Sequence, residues 1–325
     1  MGGSSWSDDF YTKSATTRAK TGTSAFAYTD SVRSGSVDAK THDDLNPMNI
    51  TRESRDSDDH ANSNAIAIMF DVTGSMGSIP IKLQEKLAGL MGLLVKKGYI
   101  DDPQLLFGAV GDQRARDRSP IQIGQFESGN EMEGDLSKIY LEGCGGGNEG
   151  ESYDLAMYFF ANKTSIDCLE KRGEKGYLFT IGDEPFFNTI RKTDVKEVFG
   201  DDLQADIPIK EVVEKLQESY NYFHILPMQA HWSSQSKAGW LDLLGQNVLM
   251  LDDSNAVCET IALAIGVHQD SVDIDNAVVD LADAGYDKAA IHSASKAVAT
   301  VSAGKAIIAN GSLPPAVEGG TSERL

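Results

Sequence analysis

A doubly wound α/β fold, with a mainly parallel sheet covered by helices on both faces, is what the sequence from Asn64 to Gly266 predicts. Three observations carry that reading. Apolar runs of strand length alternate with segments of helical period, the alternation that builds a parallel sheet. The run AIAIMF is continuously apolar, as a central strand buried on both faces must be. Polar and acidic residues then follow the strands directly, at the edge where the loops of such a sheet gather and ligands bind.

In chain order, AIAIMF is the first strand. Past the glycines that follow it, Pro80 stands where a first helical turn tolerates proline, and Leu83, Leu87, Leu90, Met91 and Leu94 recur at helical spacing. LLFGAVGD and IQIGQFE read as two strands, with a hairpin through the polar DQRARDRSP as one way to join them. The glycine-rich LEGCGGGNEGES precedes a helix, YDLAMYFFANK. GYLFTIGDEPF reads as a strand that ends in a carboxylate, IPIKEVVEKLQESY as a helix and YFHILPM as a strand. WLDLLG is a short helix, VLMLDD a strand and AVCETIALAIG the last helix of the unit.

The flanks differ in texture. Residues 1–60 are rich in Ser, Thr, Asp and Gly, with isolated aromatics at Trp6, Phe10, Tyr11, Phe26 and Tyr28. No helical or strand period emerges there, which predicts an extended arm, disordered alone or ordered against something else through its aromatics. A solvated leader with no role fits the same composition. Residues 61–268 form the α/β domain. Residues 269–325 form an Ala-rich helical tail with a flexible end, in which Val278 and Leu281 allow a weak amphipathic helix but no separate core. No internal repeat is present.

A net charge of −20 and a pI near 4.6 set this chain against nucleic acid and anionic membrane surfaces, whose phosphates would repel it. Cys144, Cys168 and Cys258 are an odd, scattered set without a CxxC pair, so neither a disulfide framework nor a thiolate zinc site is expected. The N-terminal MGGSSWSDDFYTK has no charged segment followed by an apolar run, and no stretch reaches the roughly 18 apolar residues of a membrane span. Trp6 stands where a myristoylation signal wants Ser or Thr. The expectation is a soluble, cytoplasmic protein, or a virion protein if the chain is phage-encoded.

Three polar clusters follow strands: Asp71, Thr73 and Ser75; the loop GGGNEGES; and Asp183. If the strands bearing Asp71 and Asp183 are neighbours, the two carboxylates repel or share a proton unless a cation lies between them. Carboxylate and hydroxyl oxygens without Cys or His favour a hard cation, Mg2+, with Mn2+ or Ca2+ as competitors. Against this stands the ordinary reading of D-x-T-x-S as a strand-to-helix turn whose hydroxyls cap the helix, and of GGGNEGES as a plain loop. His224 and His231 read as structural histidines, and Cys144 as a structural cysteine.

DVTGSMG resembles the DxSxS signature of the von Willebrand factor A family, with Thr73 in place of the first serine. GGGNEGES resembles the loop that supplies that family's third ligand, and TIGDEPF the strand end that supplies its last aspartate. The resemblance covers about 200 residues, from Asn64 to Gly266, and leaves both flanks outside. It implies a metal-ion-dependent adhesion site (MIDAS) with Asp71, Thr73, Ser75, Glu149 and Asp183 as ligands, and Asn148 and Glu151 as alternatives or outer-sphere groups. Glu149 stands where the family normally has threonine, and a third carboxylate makes the site more negative. The family implies metal-dependent protein binding, with a partner's acidic side chain completing the metal shell. Its intracellular bacterial and phage-like members imply an AAA+ ATPase or other subunits of a large assembly as partners.

Two other functions compete. A structural assembly component would bind through its N- and C-terminal arms. A haloacid-dehalogenase-type, Mg2+-dependent phosphohydrolase also carries an aspartate after its first strand, but it needs a second acid two residues on, where this chain has Thr73. No complete catalytic constellation is found, so no enzymatic activity is expected.

Overall fold

The computed structural model describes residues 7–143, 150–283 and 285–309. In chain order these form α1 (Asp8–Thr21), α2 (Ala27–Arg33), β1 (Arg52–Ser54), β2 (Asn64–Asp71), α3 (Ile79–Glu85), α4 (Leu87–Met91), β3 (Pro103–Val110), β4 (Ile121–Ile123), α5 (Glu131–Lys138) and α6 (Tyr153–Asn162). There follow β5 (Thr164–Ile166), α7 (Asp167–Arg172), β6 (Gly176–Ile181), β7 (Thr189–Ile190), α8 (Lys192–Phe199), β8 (Ile207–Pro208), α9 (Ile209–Ser219), β9 (Tyr220–Pro227) and α10 (Ser233–Leu244). The chain then runs through β10 (Val248–Leu251), α11 (Val257–His268), α12 (Ile274–Asp283) and α13 (Lys288–Ala309).

The central sheet has the order β10-β9-β6-β2-β3-β4, with every pair parallel except β3 with β4. All eight residues of β2 are buried, and its alternation explains why the run had to be apolar throughout. Ile66, Ile68 and Phe70 enter one core, while Ala65, Ala67 and Met69 enter the other. Helices α3, α4, α5, α11, α12 and α13 cover the first face, and α6, α8, α9 and α10 the second. Each fully buried large apolar side chain is worth about 1.5–3 kcal/mol relative to exposure, and both cores are rich in them.

The order of strands reverses at β2. From β2 the chain winds outward through β3 to β4, then returns to β6 on the other side of β2. The register pairs Phe70 with Ile181, so Asp71 and Asp183 leave neighbouring strands at the carboxyl edge, where such a reversal opens a crevice.

Both flanks pack on this unit. Residues 8–21 are helical, although the sequence shows no apolar period there, because the helix is fixed by polar contacts: Ser14 Oγ donates to Glu133 Oε1 (2.7 Å) and Arg18 pairs with the same carboxylate. Phe26 and Leu45 are buried in the first core, and β1 adds to β5 as a two-stranded parallel ribbon. At the other end α12 and α13 lie on α11, with Leu281, Ala290, Ala294 and Val298 buried. The helix expected only over WLDLLG begins at Ser233. Among the described residues, no helix is long and apolar enough to cross a membrane.

Candidate functional site

Asp71 is the last residue of β2 and is fully buried. Its Oδ1 accepts from the Thr73 amide (2.7 Å) and from Thr73 Oγ1 (2.6 Å), while its Oδ2 accepts from the Tyr153 hydroxyl (3.0 Å). Thr73 Oγ1 lies 3.1 Å from Ser75 Oγ, which donates to Asp183 Oδ1 at 2.7 Å. Asp183 is held in turn by the Trp232 amide on Oδ2 (3.0 Å) and by Ser236 Oγ on its main-chain carbonyl (2.7 Å). Four predicted residues thus form one hydrogen-bonded chain, Asp71, Thr73, Ser75 and Asp183, across the β2–β6 crevice. Ser75 is the half-exposed member.

The capping alternative is decided by the same atoms. The short turn Gly74–Met76 and helix α3 both begin without a side-chain cap. The hydroxyls face the two carboxylates. Gly77, at φ 52°, lets the chain turn from the strand end into α3. Gly182 is required by proximity: a β-carbon there would collide with the Tyr153 hydroxyl and lie 3.0 Å from Asp71 Cβ.

Around this chain the acids outnumber the cations. Burial first, and then Asp183, push the Asp71 carboxyl up to about 7. Burial and then Asp71 raise Glu151 to about 11, and burial with Asp71 raises half-buried Glu184 to about 7. Asp117 rises to about 6 through burial. Glu151 Oε2 and Asp112 Oδ2 are buried without a hydrogen-bond partner. The nearby Arg114 is turned to Asp154 (3.3 Å) and Asp194 (3.6 Å), with its guanidinium over the Phe187 ring.

Asn148, Glu149 and Cys144 lie outside the described residues. Glu151 stands at the start of α6, its amide donating to Pro185 O (3.0 Å). Among the described residues, no three His, Cys, Asp or Glu side chains converge closely enough to hold a metal ion. Any cation held by the described residues would therefore take at most two carboxylates, with hydroxyls and water filling the rest of its shell. Mg2+ accepts such a set, because it commonly keeps several waters. The unpartnered carboxylate oxygens nearby fit the same demand for positive charge.

The sequence reading did not single out Tyr153, Asp112, Glu184 or the Trp232 amide. Asp112 follows a strand in VGD, the signal that marked Asp71 and Asp183; Tyr153 and the Trp232 amide carry no comparable signal. His224 is fully buried, bonded through Nδ1 to Thr180 Oγ1 (2.8 Å) and stacked on Trp240 with centroids 3.5 Å apart. His231 is exposed at the rim, edge-on to Trp232.

No protein-family model matches this chain, and no curated protein sequence matches it. Among solved structures, the open conformation of the pilus adhesin SpaC from Lactobacillus rhamnosus GG superposes with a TM-score of 0.42 at 10% identity, covering 68% of this chain and 31% of the adhesin. A second crystal form of the same adhesin gives a TM-score of 0.42 at 9% identity over 67% of this chain and 32% of that one. This chain spans about a third of the adhesin's length.

Proposed function

We propose that this protein is a divalent-cation-dependent protein-binding module, similar to von Willebrand factor A domains, that serves a multiprotein assembly in a bacterial cytoplasm or a phage particle. The observation that carries this reading is the direction of the two hydroxyls. Thr73 and Ser75 face the carboxylates of Asp71 and Asp183 and leave α3 uncapped. The position of Asp71 and Asp183 at the strand-order reversal supports the family resemblance.

In this reading Asp71, Thr73, Ser75 and Asp183 hold Mg2+, and the glycine-rich loop adds a donor, Glu149 or a neighbour. When bound, the cation offers a Lewis-acidic position to a partner's carboxylate. The chain's own residues prepare that position: Tyr153 orients Asp71, the Trp232 amide orients Asp183, and half-exposed Ser75 leaves the side open to a partner. An AAA+ ATPase or another subunit of a large assembly is the class of partner.

Assembly through the N-terminal aromatics has less support, since Phe26 is buried in this chain's own core. Phosphoryl transfer has none, because Thr73 occupies the place of its second acid.

Isothermal calorimetry with Mg2+ tests the proposal. Wild type is expected to bind one ion, and Asp71→Ala and Asp183→Ala to weaken binding by roughly tenfold or more, the scale of a lost charged ligand contact. Unchanged affinity in both variants would remove the site assignment. A partner interaction insensitive to EDTA would remove the metal-dependent recognition.

A further inference from the structure

We propose that the N-terminal arm is a strap that positions the candidate site, acting through the Thr29 hydroxyl as a positioning group. Thr29, in α2, is buried at 1% exposure although its segment is polar and lies more than a hundred residues from its partners. Its Oγ1 donates to Ile139 O at 2.9 Å and accepts from the Leu141 amide at 2.9 Å, so one hydroxyl satisfies two main-chain groups of the same segment. Phe26, one turn earlier and 3% exposed, anchors α2 in the core.

The pinned segment leads straight to the site. The Gly143 amide donates to Val72 O (3.2 Å), between Asp71 and Thr73. Gly143 O lies 3.0 Å from where a β-carbon would sit on Gly74, between Thr73 and Ser75. The Arg33 guanidinium of the same arm comes to 4.0 Å of a β-carbon placed at Gly143. Residues 139–143 are therefore clasped between the arm and the turn that carries both hydroxyls. Gln122 of β4 holds Tyr140 from the sheet side, donating to its carbonyl (2.9 Å) and accepting from its amide (2.8 Å). Thr29 holds the flanking residues. Without it, the segment keeps its sheet-side bonds and loses its outer fastening. The arm is then part of the site's construction, and anything that lifts α2 loosens the Val72–Ser75 turn.

The link to metal affinity rests on the reading in the preceding subsection; the strap itself does not. The experiment compares the full-length chain with Thr29→Val, which keeps the shape and loses the hydroxyl, and Thr29→Ser, which restores it. Two readouts are taken: hydrogen exchange at the Leu141 and Gly143 amides without metal, and the Mn2+ dissociation constant. In Thr29→Val both amides are expected to exchange faster, and Mn2+ to bind more weakly, by roughly threefold to tenfold, the range of one ordinary hydrogen bond. Thr29→Ser is expected to stay within about twofold of wild type on the same scale. Wild-type exchange in Thr29→Val would overturn the strap. Equal effects of Val and Ser would overturn the role of the hydroxyl. Faster exchange with unchanged Mn2+ affinity would overturn the coupling to the site. Faster exchange in Thr29→Val, with no Mn2+ binding even by wild type, would support the strap and overturn the metal reading.

Discussion

At the scale of single residues, the site is decided by where hydroxyl groups point. A Ser or Thr after a strand normally satisfies the free amides of the next helix. Here Thr73 and Ser75 satisfy carboxylates, and in the proposed reading a cation offsets the negative charge gathered there. His224 shows the opposite solution, a buried titratable group kept neutral. Burial holds its imidazole down at about 3, against an ordinary value near 6.5. Between those values the unfolded chain binds a proton that the folded chain does not, so stability rises with pH across the window and falls on acidification. In His224→Phe, which keeps an aromatic ring against Trp240, that component disappears. Urea midpoints measured between pH 7 and pH 4 should fall less steeply in the variant than in wild type; parallel profiles would show that His224 is not the source.

At the scale of elements, strands were the most legible part of the sequence. AIAIMF, LLFGAV, GYLFTI and YFHILP are almost wholly apolar because both faces of the sheet are covered, with Thr180 and His224 as polar exceptions that bond each other, and each lies in a strand. Helix α1 was not legible, since it is held by Ser14 and Arg18 against one buried glutamate and has no apolar stripe. Ribbons as short as β1–β5 and β7–β8 depend on contacts between distant segments, which no local pattern encodes. The site was half legible: strand-end acids marked Asp71 and Asp183, while Tyr153 and the Trp232 amide matter through tertiary placement. Helix α13 follows from size. Ala290, Ala294 and Ala297 are buried in the helix that packs on α11, and side chains this small suit close helix packing. Ala294→Leu is expected to destabilise by about 1–3 kcal/mol, read from chemical denaturation; an unchanged midpoint would mean that the α11–α13 contact is looser than described.

At the scale of the whole molecule, a six-stranded sheet with its reversal beside β2 brings two distant aspartates together, and both terminal segments wrap the first core of the same unit. The surplus of 49 acidic over 29 basic residues favours cations near the site and disfavours polyanionic partners. The central claim is that the strand-end oxygens of Asp71, Thr73, Ser75 and Asp183 form a cation site. The most direct measurement is anomalous diffraction from crystals grown with Mn2+. One peak is expected between the Thr73 and Ser75 hydroxyls and the Asp183 carboxylate, absent in Asp71→Ala crystals. A peak elsewhere, or none at saturating Mn2+, would contradict it.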